Sequence, residues 1–161
     1  MTDAARRMRF LCDEMLKRLG RWLRAAGYDT RIQEGRGSDR EMLAIAKYEG
    51  RVVITRDRKL LEFRDARGRV VVLNANTVSE CVEELSQKLE LDWLHRPFTR
   101  CLLCNGLLVQ ANGRAWEQVP KHSRACIAEL FACEACGKVY WEGAHVRRMR
   151  TRLREWQEYP D

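Results

Sequence analysis

The chain has 161 residues, 45% of them hydrophobic, with 30 Lys and Arg against 23 Asp and Glu for a formal charge of +7. Aliphatic content of this order, with only 10 Gly and 3 Pro, excludes a disordered chain and allows one domain plus a small appendage. No apolar run approaches the roughly 18 residues of a membrane span, and the N-terminal stretch lacks the apolar core of a secretory signal, so a cytoplasmic protein without membrane association is expected.

Residues 8–91 alternate short apolar runs with helical patterns. Met8–Cys12 is the first predicted strand. Glu14–Ala26 is a predicted helix, with Leu16, Leu19, Leu23 and Ala26 on one side and Gly27 as its stop. Tyr28–Ile32 is a second strand. Ser38 and Glu41 form a capping box for a helix ending at Glu49–Gly50. Val52–Thr55 and Val70–Leu73 are β-branched runs suited to strands buried on both faces, with a short helix near Arg58–Phe63 between them. Thr77 and Glu80 open a last helix that ends near Glu90. Strands separated by helices imply a parallel sheet in a three-layer α/β/α domain.

After Leu91 the pattern changes, and the boundary is placed there: 8–91 and 92–161. Residues 101–143 hold five of the seven cysteines. Cys101-x-x-Cys104 and Cys133-x-x-Cys136 can converge as four thiolates on one structural zinc, which leaves no open position for catalysis. Asn105–Gly106 and Gly137 can supply the positive φ of such turns. The 28 intervening residues exceed ordinary finger spacing, with Leu107–Gln110 and Lys138–Trp141 as ribbon strands. A redox role for the pairs is the weaker reading, because a redox pair normally caps a helix. Cys12 and Cys81 read as buried apolar residues. Residues 144–157 return to helix, with Val146, Met149, Leu153 and Trp156 on one stripe and arginines elsewhere.

Asp13 follows the first strand, Asp57 follows the third, and Asp39 opens the helix before it. Sites in parallel sheets form beyond the carboxyl ends of the strands. Acids gathered there need a cation between them, and Mg²⁺ or Mn²⁺ suits all-oxygen ligands. Each aspartate fits a helix-capping role equally well. No P-loop or dinucleotide fingerprint is present, and no nucleophile–base pair suggests acyl transfer.

Four stretches then occur in order: RFLCDEMLKRLGRWLRAAGYDT (Arg9–Thr30), SDREMLAIAKYEGRVVITRD (Ser38–Asp57), TRCLLCNGLL (Thr99–Leu108) and FACEACGKVYWEGAHVRRM (Phe131–Met149). Together they resemble the Mut-seven C-terminal ribonuclease domain, a PIN-like nuclease domain followed by a zinc ribbon. The resemblance implies a metal-dependent ribonuclease in which Asp13, Asp39 and Asp57 are the Mg²⁺- or Mn²⁺-binding acids, with Thr55 beside the last. It also implies RNA as substrate, with tRNA or the ribosome among possible partners and a homodimer as a possible assembly. The chain departs from the fuller PIN pattern at Asn74-Ala75-Asn76, where a fourth acid is expected.

The basic residues form two candidate RNA tracks. Lys17, Arg21 and Arg24 share a helix face next to Asp13, and Arg56 and Arg58 flank Asp57. Arg147 and Arg148 belong to the arginine-rich final helix. Each set also reads as a solvated surface. Trp141 suits either base stacking or cover for the ribbon core. The principal alternative to a ribonuclease is a non-catalytic RNA- or ribosome-binding adaptor on the same fold.

Overall fold

The computed structural model describes residues 7–35 and 37–158. Four strands, β1 (Arg9–Cys12), β2 (Asp29–Ile32), β3 (Val52–Thr55) and β4 (Val70–Val72), form a parallel sheet in the order β2-β1-β3-β4. Successive side chains on a strand point to opposite faces. Phe10, Cys12 and Ile54 accordingly join one apolar cluster, while Leu11 and Val53 join another. This double burial explains why these runs lack a polar alternation.

The predicted first helix is split. Asp13 Oδ1 accepts the Met15 N–H at 3.1 Å and tightens Glu14–Leu16 into a 3₁₀ turn, after which α1 runs over Lys17–Ala25. Both capping boxes form as the sequence predicts. Ser38 and Glu41 open α2 (Asp39–Glu49), and Thr77 and Glu80 open α3 (Val78–Lys88). A 3₁₀ helix over Arg58–Glu62 joins β3 to β4. Leu19 and Leu23 of α1 and Val82 and Leu85 of α3 pack in the cluster with Phe10; Met42, Leu43 and Ala46 of α2 pack in the other.

Beyond residue 91, β5 (Leu108–Gln110), β6 (Leu130–Cys133) and β7 (Val139–Trp141) form an antiparallel sheet in chain order. The residues between β5 and β6 carry a 3₁₀ helix, Gly113–Gln118, and the short α4 (Lys121–Arg124). The final helix, α5 (Ala144–Glu158), returns to the α/β half. Its Met149, Leu153 and Trp156 belong to the same cluster as Phe10, and Trp156 meets Trp22 edge-on at 4.7 Å and Trp93 at 5.5 Å.

The segment after α3 is held against the end of α1. The Arg96 and Phe98 N–H groups donate to the Ala26 and Ala25 carbonyls at 2.9 and 2.8 Å. Gly27 permits this approach. Its φ is +101°, and a Cβ there would lie 2.3 Å from the Arg96 carbonyl oxygen. Gly27→Ala combines backbone strain with a clash against main chain, so an expected loss of about 3 kcal/mol follows. Thermal unfolding should record it as a fall of roughly 6–12 °C in Tm.

Candidate functional site

The three aspartates stand beyond the carboxyl ends of the parallel strands but hold different positions. The Asp13 N–H extends the ladder to the Ile54 carbonyl at 3.1 Å, which fixes its side chain at the edge of the sheet. Thr55, fully buried at the end of β3, connects two of the acids. Its hydroxyl donates to Asp13 Oδ2 at 3.2 Å and accepts the Asp57 N–H at 3.0 Å. Asp57 Oδ1 in turn accepts the Lys59 N–H at 2.9 Å. Asp13 and Asp57 therefore act as caps and also stand just beyond the carboxyl ends of β1 and β3.

Asp13 and Asp39 line one cavity of about 260 Å³, together with Gln33, Gly35 and Gly37. Asp57 is not among its lining residues. The Gln33 Oε1 atom is buried and accepts no hydrogen bond. The three aspartates do not gather within 4.8 Å of one another among the described residues. The position of the missing fourth acid is also filled. Asn74 Oδ1 accepts from Arg58 at 2.7 Å, and its amide donates to Glu84 at 3.1 Å. Burial acts to raise the Glu84 carboxyl, but hydrogen bonds from Lys88 and from the Asn74 and Ala75 N–H groups hold it down at about 2. Glu84 is thus a brace for the turn after β4.

Arg24 does not share a solvent-facing track with Lys17 and Arg21. It is only 5% exposed, with Nε donating to the Thr30 carbonyl at 2.8 Å and Nη1 to the Leu102 and Leu103 carbonyls at 2.9 and 2.8 Å. Helical spacing alone could not reveal this, because the acceptors lie in a turn some 80 residues away. Lys17 pairs with Glu34 at 3.0 Å, and Arg21 is exposed. Arg56 turns towards α3, donating to the Asn76 carbonyl at 3.1 Å. Arg147 and Arg148 are exposed near the start of α5, Arg147 donating to the Glu142 carbonyl at 3.2 Å.

The four predicted cysteines do converge. Cys101, Cys104, Cys133 and Cys136 place their sulfur atoms within 4.8 Å of one another, a group that could hold a metal ion. Asn105 and Gly137 take φ of 74° and 73° in the two turns. Gly106 serves differently, since a Cβ there would sit 2.7 Å from the Cys133 sulfur. Burial acts to raise the Cys101 thiol, but the Tyr140 hydroxyl at 3.1 Å and nearby backbone N–H groups pull it down to about 6. Thiolate chemistry at tetrahedral range suits zinc.

This cysteine turn is locked to the parallel sheet. Asn105 accepts the Thr30 N–H at 2.9 Å and donates to Asp29 Oδ1 at 2.7 Å, next to the Arg24 contacts. Arg24→Gln is expected to leave part of this carbonyl set unpaired and to cost about 2–3 kcal/mol. Denaturant unfolding of the two proteins, with metal content measured alongside, checks this.

The model for the family described as the Mut7-C RNAse domain matches residues 8–153. The chain belongs to this family. A human protein, the exonuclease mut-7 homolog, is 23% identical over 232 aligned residues, covering 96% of this chain and 26% of that protein. The chain therefore spans about a quarter of that relative's length. No solved structure matches. Family and relative together support a nuclease-type function.

In this Mut7-C family chain a second cavity gathers residues that helix-face counting overlooks. Arg18, Arg21 and Trp22 line a cavity of about 500 Å³ with Lys138, Tyr140 and His145. The spacing Arg18, Arg21, Trp22 was visible as an i, i+3, i+4 set. Its partners from β7 and α5 were not, because they depend on how the cysteine sheet docks.

Proposed function

We propose that this chain hydrolyses RNA phosphodiester bonds at a Mg²⁺ or Mn²⁺ site on a PIN-like α/β body, with residues 92–161 forming a zinc ribbon and helix that extend the RNA surface. The observation that carries the reading is the cavity shared by Asp13 and Asp39 beyond the carboxyl ends of the parallel strands. Two carboxylates fit a hard cation, which commonly uses one or two carboxylates and completes its shell with water and substrate phosphate. When bound, such an ion polarises a phosphoryl oxygen and lowers the pKa of a coordinated water.

The chain's own residues divide the remaining work. Asp13 is held in one orientation by the Met15 N–H and the Thr55 hydroxyl. Thr55 carries that order to the Asp57 backbone, and the exposed Asp57 carboxylate is fit to orient attacking water. Lys17, Arg21 and Arg58, outside the lining of the cavity itself, supply positive charge for phosphates approaching it. Asp57→Asn keeps the capping geometry and is expected to abolish cleavage of a pool of labelled RNAs in Mn²⁺. Equal cleavage by both proteins overturns the assignment.

The adaptor reading has one observation in its favour: the three aspartates do not converge as a ready-made ligand set. It predicts tight, salt-sensitive RNA binding with no cleavage by wild type or variant.

A further inference from the structure

A cleft of about 730 Å³ lies in the C-terminal half, away from the aspartates. Its walls come from the segment before the first cysteine, from β6 and β7, and from the first turns of α5. Four half-buried aromatic residues line it: Phe98, Phe131, Tyr140 and Trp141. His145, Arg147 and Arg150 contribute the basic side, and Glu129 and Glu142 also lie in the wall. Arg150 is already engaged, with its guanidinium 4.8 Å from the Phe98 ring centroid and its Nε 3.0 Å from Glu142. Phe98 holds a φ of 60°, a left-handed backbone that bulky residues avoid and that clusters at ligand clamps.

The cleft is not isolated. Leu102, Tyr140 and His145 also line the smaller cavity that holds Arg18, Arg21 and Lys138. Arg18 lines a third cavity with Arg56 and Met15, and Met15 lines the cavity of Asp13 and Asp39. A chain of shared walls thus joins an aromatic cleft, a basic saddle and the acidic pocket. That order is the one a single polynucleotide strand needs: faces to stack bases, cations along the backbone, and acids at the bond to be cut. A duplex cannot offer its base faces to such a cleft, since they are stacked internally.

We propose that the aromatic cleft is a binding subsite for an unpaired nucleobase of single-stranded RNA, whose backbone crosses Arg18, Arg21 and Lys138 to reach the aspartates. The path to the aspartates rests on the reading of the acidic pocket as the hydrolytic site; occupancy of the cleft by RNA is tested without it. A volume of about 730 Å³ falls within the range of about 300–1,000 Å³ usual for small-molecule sites, enough for a base with its sugar. Phe131 and Tyr140, partners across β6 and β7 on one face of the sheet, provide the stacking faces, and Trp141 alternates to the other face and meets the cleft only at the end of β7. Tyr140 stands between cleft and saddle, with its hydroxyl against the Cys101 sulfur and the Lys138 ammonium 5.9 Å from its ring.

The test uses the full zinc-loaded chain carrying Asp57→Asn, so that binding is read without cleavage. Fluorescence anisotropy compares single-stranded RNAs of about five and about 12 nucleotides with a duplex of the longer length. The longer strand is expected to bind about tenfold more tightly than the shorter one, and more tightly than the duplex. Phe131→Leu should erase that length preference while Phe131→Tyr keeps it, in proteins with equal zinc content. A 4-thiouridine placed along the longer strand should crosslink to peptides containing Phe131 or Tyr140.

Equal affinity for both lengths, or crosslinks confined to the aspartate side, overturns the proposal. Failure of the hydrolytic reading looks different: wild type does not cleave, yet crosslinks at the cleft persist. Conversely, cleavage that depends on Asp57 without any length preference leaves the hydrolytic reading intact and removes the subsite.

Discussion

Asp13→Asn should lower RNA hydrolysis by on the order of 10²–10³-fold while leaving the fold nearly as stable as wild type. The separation follows from the geometry. Asparagine is as good a cap as aspartate, and its amide oxygen can still accept either the Met15 N–H or the Thr55 hydroxyl that Asp13 accepts now. What it removes is the negative charge facing the cavity shared with Asp39. Single-turnover cleavage across a range of Mn²⁺ concentrations is the measurement, with thermal unfolding as control. The half-saturating Mn²⁺ concentration should rise with the loss of rate. Thr55→Val, which breaks the link between Asp13 and Asp57, should cost less, about 10–100-fold, as outer partners of metal ligands usually do. An Asp13→Asn protein that cleaves at the wild-type rate sinks the assignment of the acidic pocket.

Removing the metal from the four cysteines should have the largest effect on stability. Structural zinc contributes about 10 kcal/mol or more of apparent folding free energy in small zinc domains, and the β5–β7 sheet adds few buried residues of its own. Cys133→Ser is expected to lose the bound metal and the ordered sheet together. Because Asn105 and the Leu102 and Leu103 carbonyls hold Thr30 and Arg24, the damage should spread to α1 and to the tryptophan cluster of Trp22, Trp93 and Trp156. Near-ultraviolet circular dichroism and Tm, with and without a chelator, record this. Cys126→Ser changes an exposed cysteine outside the group and should leave both unchanged. Quantitative metal removal without a fall in Tm contradicts a structural role.

The sequence revealed much of the architecture because its signals were local. The boxes Ser38–Glu41 and Thr77–Glu80 start their helices at the stated residues, and the Val52–Thr55 run is a central strand because both its faces are apolar. The cysteine pairs were legible for the same reason: each turn is a short motif with its own backbone requirement. Arg24 was misleading because burial is not local. Its position on the helix matches Arg21 in periodicity, and only the docking of Leu102 and Leu103 turns it inward. Gln33 carried no signal at all, being an ordinary residue after a short strand until the fold buries its oxygen. The split of the first helix was likewise hidden, since an aspartate before a helix cannot say whether the first turn is α or 3₁₀.

The lock between the cysteine turn and β2 has a consequence for the chain without its metal. β2 is an outer strand of the parallel sheet, and Thr30 lies within it. Its outward N–H is taken by Asn105 and its carbonyl by Arg24, so the middle of that border offers nothing for another strand to pair with. Loss of the ion frees Asn105 and exposes a donor in a row designed by its neighbours for pairing. Absence of a metal from the four cysteines should therefore convert the molecule into a template for self-association, and light scattering during chelation should rise with protein concentration before the parallel sheet itself melts.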